Sequence, residues 1–165
     1  MKSLAYLFLP VLAACAGVAW GGDKKAENGV VLPANYRSLH VIGVSDRADK
    51  ESLRVILAND TAFAAIQGHK DHPYPEGAML IKVAWKRATH PLWEPATVPG
   101  AFVQADVMVK DRGNYAATKG WGFARFLGPG LVPQPAKLAQ ECLACHTAAQ
   151  ADDFVFTHSA EWPTP

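Results

Sequence analysis

The chain has 165 residues, of which 50% are hydrophobic, and a formal net charge of +1. This length suits one domain, and the apolar content is sufficient for a buried core. Because the sequence contains no clustered basic run, it does not have the pattern of a nucleic-acid-binding protein, and no nucleic acid is expected among its partners.

The first 21 residues have the pattern of a secretory signal peptide. Lys2 is followed by an apolar run from Leu4 to Val18 and then by small residues. Such a run is too short for a membrane-spanning helix, so we expect export to the periplasm, an oxidising compartment. The LAAC segment at residues 12–15 also resembles a lipobox, in which Cys15 would carry a lipid anchor. Ordinary cleavage of the signal peptide remains equally open.

Residues 22–34 are predicted to be a polar linker, and residues 35–165 a single folded domain. A short helix is expected in LPANYRSLH, a second in DTAFAAIQ with Asp60 as its N-cap, and a third in AKLAQECLACHTAAQ. RATHPLWEPATVPG is predicted to be a proline-rich loop. Five segments are rich in Val, Ile and Leu or alternate with period two, which predicts strands. They are Leu39–Val44, Ser52–Asn59, Ala78–Lys86, Ala101–Asp111 and Trp121–Gly128. The order predicts an α+β fold, an antiparallel sheet with an inserted helix and a C-terminal haem-bearing helix.

The last predicted helix carries Cys142, Cys145 and His146 in the order C-x-x-C-H, the attachment signature of a c-type haem. The motif assigns both cysteines to thioether bonds with the haem and His146 to the iron. The one other cysteine, Cys15, belongs to the signal region, so none remains for a disulfide. A zinc site would need two further ligands close behind His146, and a thioredoxin-like motif gives no reason for the adjacent histidine.

The position of the motif separates three kinds of small haem protein. Ordinary electron-transfer cytochromes c carry it near the start of the chain and take a downstream Met as ligand. Here only residues 147–165 follow His146, and the three methionines, Met1, Met79 and Met108, all precede it. A four-helix cytochrome c′ would show the helical period of 3.6, which most of this chain lacks. A sheet-rich protein with a C-terminal haem helix fits best.

Five segments carry a resemblance to a known family: Tyr36–Gly43, Leu53–Asp60, Pro75–Lys86, Met108–Phe123 and Cys142–His146. The chain resembles cytochrome P-460 and its relative, the beta-type cytochrome c′. The resemblance implies a homodimeric haem protein with five-coordinate iron and an open distal site. The enzyme branch oxidises hydroxylamine to nitrous oxide via an iron nitrosyl and passes electrons to an acceptor such as another cytochrome c. The gas-binding branch binds nitric oxide without turnover. Plain electron transfer is a third, weaker interpretation.

Alternation along three predicted strands gives each an apolar face and a mixed face with one central ionisable residue: Arg54, Lys82 or Asp106. An ordinary solvated sheet face explains this pattern. The alternative, favoured by the resemblance, is that the mixed faces surround the haem. The apolar pocket residues would then be Ile56, Leu80, Ala84, Phe102 and Met108.

The resemblance implies roles for the three charged residues. Lys82 matches a Lys that the enzyme branch bonds to a haem meso carbon, and Lys86 is its rival on the same face. Asp106 stands where some hydroxylamine-oxidising relatives carry a Glu, so it is the expected proton acceptor, although it is one methylene shorter. Arg54 either orients the substrate or pairs with Asp106.

The remaining histidines are not expected to ligate the iron. His69, His72 and His90 lie in or beside polar or proline-rich breaks, which predicts surface positions. His40 begins a predicted strand and is expected in the interior. His158 lies in the C-terminal tail.

Overall fold

The computed structural model describes residues 22–68, 72–158 and 160. The strands are β1 (Lys24–Lys25), β2 (Val31–Leu32), β3 (His40–Arg47), β4 (Ser52–Ala58), β5 (Met79–His90), β6 (Trp93–Lys110), β7 (Trp121–Leu127) and β8 (Val132–Pro133). Six of them form an antiparallel sheet in the order β3-β4-β5-β6-β7-β8, and β1 and β2 form a separate two-stranded sheet. The helices are α1 (Asp60–Gln67) and α2 (Leu138–His146). The predicted α+β class, with a C-terminal helix carrying the haem motif, is confirmed.

One face of the large sheet packs against the N-terminal segment. Its core includes Leu57, Ile81 and Val107, one from each of β4, β5 and β6. Each lies on the face of its strand that the alternating pattern predicts to be apolar. The predicted linker 22–34 differs from expectation, because it packs onto this core. Val30 and Leu32 are each only 1% exposed, and burying their apolar side chains compensates for ordering the segment.

The other sheet face packs against α1 and the C-terminal segment through a second core that includes Leu80, Trp121 and Phe123. Helix α1 forms where it is predicted, but Asp60 is its first residue and not its N-cap. Asn59 has the extended backbone of a cap, and its side chain accepts a hydrogen bond from the N–H of Ala62. The helix predicted around residues 32–40 is a single 3-10 turn, Tyr36–Ser38.

The proline-rich segment predicted to be a loop forms the outer part of a β-hairpin, so that prediction is wrong. Strand β5 continues to His90, and β6 begins at Trp93. Pairing of β5 with β4 ends at Lys86, and pairing of β6 with β7 begins at Gln104, so the hairpin extends beyond the sheet with each strand paired only to the other. Prolines are tolerated there because no further strand needs their missing N–H groups.

A register shift in this hairpin changes which face Phe102 occupies. Ala84 pairs with Gln104, but the next residue, Trp85, pairs with Phe102, so Val103 is bulged out. Phe102 therefore packs edge-to-face with Trp85, at a ring-centroid distance of 6.5 Å, against the apolar core. Its predicted position on the mixed face is wrong, because a single extra residue reverses the alternation.

Helix α2 is followed directly by a 3-10 helix, Thr147–Asp152, and then by an extended tail. The tail runs beside edge strand β3, where the N–H of Ala160 donates to the carbonyl of Ile42 at 2.9 Å. No helix within the described residues is long and apolar enough to cross a membrane. The predicted signal peptide, with the candidate lipobox at Cys15, lies outside the described residues.

Candidate haem site

A cavity of about 750 Å³ lies between the mixed face of the sheet, helix α2 and the C-terminal tail. Ligand pockets commonly span roughly 300–1,000 Å³. Of the five predicted apolar pocket residues, Ile56, Leu80 and Met108 line it. Ala84 and Phe102 do not line it. The bulge accounts for Phe102, and Ala84 lies two residues further along β5 than Lys82.

Helix α2 places the three motif residues along one wall of the cavity. Cys142 and His146 are four residues apart and Cys145 is three from Cys142, spacings that bring side chains to the same side of a helix. Both cysteines are free thiols. Burial raises the pKa of Cys142, with the nearby Arg125 acting in the opposite sense. The thiols are thus unpaired and accessible from the cavity.

His146 is held by its surroundings in one orientation. Its Nδ1 donates a hydrogen bond of 2.7 Å to the backbone carbonyl of Phe154, and its ring lies 5.4 Å from that of Phe123 and 5.2 Å from that of Phe156. Burial lowers the pKa of His146, although the Phe154 carbonyl acts against this. Because the proton is on Nδ1, Nε2 is the nitrogen with a lone pair for a metal.

The sheet contributes a row of four directly paired residues. Ile56 pairs with Lys82, Lys82 with Asp106, and Asp106 with Arg125. Direct cross-strand neighbours have Cβ atoms about 4.5–5.5 Å apart, so the register alone brings these side chains together. All four line the cavity.

Asp106 is the centre of this row. Its Oδ2 lies 2.7 Å from Nζ of Lys82 and accepts from Nε2 of Gln104 at 2.6 Å, while Oδ1 accepts from Nε of Arg125 at 2.6 Å. Burial alone would raise the pKa of Asp106, but the charges and hydrogen bonds of Lys82 and Arg125 outweigh it and hold the pKa below its usual value. Asp106 is therefore an ionised carboxylate at neutral pH, with both oxygens engaged.

Arg54 lines the cavity but does not lie in this row. The register places it opposite Ala84, and its Nε donates to the hydroxyl of Ser52 at 3.1 Å. Burial lowers the pKa of Arg54, and Arg47 acts in the same sense. The alternative in which Arg54 pairs with Asp106 is not realised, because Lys82 and Arg125 are the direct neighbours of that carboxylate.

The two candidate lysines are clearly distinguished. Lys82 lies in the cavity wall, whereas Lys86 is exposed at the end of the β4–β5 pairing and does not line the cavity. The geometry thus leaves Lys82 as the lysine positioned to meet a group bound in the cavity.

Two residues of the polar cluster, Arg125 and Gln104, were not among the predicted site residues. Arg125 was detectable: in WGFARFL it shares a face with Trp121 and Phe123 and is the one charged residue of the strand. Gln104 is two residues from Asp106 in the alternating pattern of its strand and therefore shares its face. Which cation would meet Asp106 depends on strand register, which the sequence pattern leaves undetermined.

Among the described histidines, His72 is exposed, and His90 lies at the end of β5, half-buried. His40 is not interior, since its side chain is 42% exposed and lies 2.8 Å from Asp60 and stacked on Phe63. His158 is exposed at the edge of the cavity. His69 lies outside the described residues.

The residues of the cavity fit a covalently bound haem. Two free thiols and an oriented imidazole with Nε2 available share one wall, in the order that c-type attachment requires. Apolar side chains, including Ile56 and Leu80, supply the lining that a macrocycle needs. The residues that would hold the group are therefore Cys142, Cys145 and His146.

Comparison with known proteins agrees with this geometry. The family model described as cytochrome P460 matches residues 33–157, well over half of the chain. The matched region includes Lys82, Asp106 and Arg125 and the whole C-x-x-C-H motif. A search of curated proteins gives no match.

Proposed function

Because the chain belongs to the cytochrome P460 family, and is thus a haem c cytochrome, we propose that it is a periplasmic haem enzyme that oxidises hydroxylamine to nitrous oxide. The observation that carries the proposal is one cavity that combines the haem-attachment residues with the cluster of Lys82, Asp106 and Arg125. Bound there, the haem supplies a coordination position for hydroxylamine and a route for its electrons.

The overall reaction requires groups that manage protons. Two molecules of hydroxylamine lose four protons and four electrons to give one nitrous oxide and one water, and the electrons pass to an external acceptor such as another cytochrome c. In the proposed site, Asp106 receives protons, and the half-buried Arg54 orients the small polar substrate by hydrogen bonding. Both residues line the cavity from the sheet.

The proposed bond between Lys82 and the macrocycle would change the behaviour of Asp106. A carboxylate whose pKa is held low is a weak base. Once the Lys82 nitrogen is bonded to a ring carbon, it no longer carries the ammonium charge that faces Asp106 at 2.7 Å. The pKa of Asp106 would rise as a result, so the cross-link and the proton-accepting role support each other.

One observation favours a second candidate, a nitric oxide-binding protein of the beta-type cytochrome c′ kind. Lys82 forms an ion pair with Asp106 at 2.7 Å, and a Lys nitrogen held as the cation of an ion pair has no lone pair with which to attack the haem. If the pair persists after haem attachment, Lys82 remains unlinked, and the site binds nitric oxide without turnover.

The deciding experiment is the absorption spectrum of the dithionite-reduced protein, matured in a host that attaches c-type haem. We expect a Soret band far to the red of an ordinary c-type haem, since a bond to the ring alters its electronic structure. Lys82→Met should give an ordinary high-spin spectrum, and Lys86→Met should keep the red-shifted band. Anaerobic incubation with hydroxylamine and an oxidant should then yield nitrous oxide from the red-shifted forms.

An ordinary spectrum of the unmodified protein, together with tight nitric oxide binding and no nitrous oxide, would make the gas-binding function the correct one. Loss of the red-shifted band in Lys86→Met but not in Lys82→Met would show that the wrong lysine has been assigned. The predicted export and the two alternatives for the N-terminus, lipid anchor at Cys15 or ordinary cleavage, are tested by mass spectrometry of the mature N-terminus, which would carry a diacylglycerol adduct only in a lipoprotein.

A further inference from the structure

We propose that Lys110 and Trp121 are positioning residues for the iron ligand His146, acting through the backbone turn at Asp153 and Phe154. The inference rests on iron ligation by His146, which is part of the proposed function, but not on hydroxylamine turnover or on the Lys82 bond. Neither residue lines the cavity.

The turn has a backbone conformation that ordinary residues rarely adopt. Asp153 and Phe154 have φ values of 50° and 66°, so two consecutive residues with side chains lie in the left-handed region. Such a conformation costs free energy for residues other than glycine and persists only where surrounding contacts hold it. Some part of the structure must therefore stabilise this turn.

Two side chains at strand ends and one backbone N–H outside the sheet hold the turn. Lys110, at the end of β6 and 2% exposed, places Nζ 2.7 and 2.8 Å from the two carboxylate oxygens of Asp153. Trp121, at the start of β7, donates from Nε1 to the backbone carbonyl of Asp153 at 2.8 Å. The N–H of Tyr74 donates to the same carboxylate at 2.9 Å. The turn is thus fixed to three separate parts of the chain.

Lys110 and Trp121 also contact each other. Nζ of Lys110 lies 4.7 Å from the centroid of the Trp121 ring, within the range of a cation–π interaction. A buried ion pair is weak evidence for stability, because desolvation offsets much of its attraction, but it can select one conformation over others. Here the conformation selected is that of the turn.

The carbonyl immediately after Asp153 is the one that His146 uses. Nδ1 of His146 donates to the carbonyl of Phe154 at 2.7 Å, and the N–H of Phe154 is held by the carbonyl of Ala149 at 2.8 Å. A hydrogen-bond acceptor on the second nitrogen of a ligating histidine fixes the ring and raises the basicity of the nitrogen that binds the metal. The turn thereby sets the strength of the iron–histidine bond.

The test is made on the haem-loaded, dithionite-reduced protein without substrate. We expect Lys110→Met and Trp121→Phe each to lower the iron–histidine stretching frequency in resonance Raman spectra and to raise the reduction potential of the haem, because a weaker acceptor makes His146 a poorer electron donor. Lys110→Arg, which keeps a cation beside Asp153, should restore both values towards those of the unmodified protein.

Val83→Ala is the matched control, since it truncates a side chain of the opposite core that is 3% exposed. It should reduce stability and leave both haem readouts unchanged. Equal shifts in Val83→Ala and Lys110→Met would show that general loosening is the cause, and unchanged readouts in Lys110→Met and Trp121→Phe would also overturn the proposal. If Lys110→Met fails to mature, Trp121→Phe decides alone, since it keeps an aromatic ring at this position and removes the N–H that donates to the carbonyl of Asp153.

Discussion

At the scale of single residues, the carboxylate of Asp106 is the centre of the charged cluster in the cavity. It accepts hydrogen bonds from Lys82, Gln104 and Arg125 and is ionised because the two cations outweigh the effect of burial on its pKa. Its side chain is 15% exposed, whereas those of Lys82 and Arg125 are 29% and 31% exposed. The cluster is thus sufficiently enclosed for its charges to shift the pKa of Asp106, and it remains accessible to a small molecule in the cavity.

We expect Asp106→Asn to lower the free energy of unfolding by about 1–3 kcal/mol at neutral pH, less than the ~3–5 kcal/mol typical of breaking a fully buried pair. Because the pKa of Asp106 in the folded state lies below its ordinary value, the carboxylate contributes stability that is present above about pH 4 and is lost as the pH falls through the folded-state value. Denaturant unfolding across this range should show the difference between variant and unmodified protein shrinking below about pH 4.

The control for Asp106→Asn is Asp46→Asn, which removes the exposed ion pair between Asp46 and Arg87. We expect a loss of about 1 kcal/mol or less from it, because solvent screens the pair. A pH-independent difference for Asp106→Asn would contradict the assigned charge state. If Lys82 is bonded to the haem, the effect of Asp106→Asn should fall towards the lower end of its range, since Arg125 is then the remaining cation.

At the scale of elements, the β5–β6 hairpin shows why strand ends are hard to predict. Its outer part contains Pro91, Pro95 and Pro99, which normally indicate a loop, yet Arg87 pairs with Pro99 and Thr89 with Thr97. A hairpin outside the sheet has free outer edges, so proline costs it few ladder hydrogen bonds. The local signal of proline was outweighed by pairing with a strand whose position the sequence alone does not give.

The start of α1 permits a direct test of which residue caps the helix. Oδ1 of Asn59 accepts from the N–H groups of Ala62 and Met79, each at 3.0 Å, and its Nδ2 donates to the carbonyl of Gly77 at 2.9 Å. Asn59→Ala should therefore lower the free energy of unfolding by about 1–3 kcal/mol, as a lost cap together with an orphaned donor in β5 would.

Asp60→Ala is the matched control for this experiment, because Asp60 is the first residue of α1 and its side chain is 96% exposed. It should change the free energy of unfolding by no more than about 0.5 kcal/mol. A larger loss from Asp60→Ala than from Asn59→Ala, measured by thermal or denaturant unfolding, would make Asp60 the cap after all.

At the scale of the whole molecule, we expect the haem-loaded protein to be a homodimer, as the resemblance to cytochrome P-460 implies. Sedimentation velocity at micromolar concentration should give twice the mass of the processed chain. A single species at the monomer mass across a hundredfold range of concentration would contradict this. The measurement is independent of the hydroxylamine assay, so the two expectations can fail separately.

The sequence by itself predicted the haem-attachment residues and determined the class of fold. Cys142, Cys145 and His146 lie within five residues of one helix, so their geometry follows from helix spacing alone. The alternation of apolar residues in β4, β5 and β6 similarly predicted which face of each strand is apolar. It also placed Lys82 and Asp106 on the mixed faces of their strands. These features depend on local periodicity, which the chain carries in every segment.

Only the tertiary structure decided which of these side chains meet. The antiparallel register brings Asp106 between Lys82 and Arg125 and leaves Arg54 in another row. A bulge in β6 moves Phe102 to the opposite core. The turn behind His146 is likewise held by Lys110 and Trp121, residues 36 and 25 positions earlier in the chain than His146. Such contacts depend on register and long-range packing, because shifting a strand by one residue reverses its faces without changing its sequence pattern.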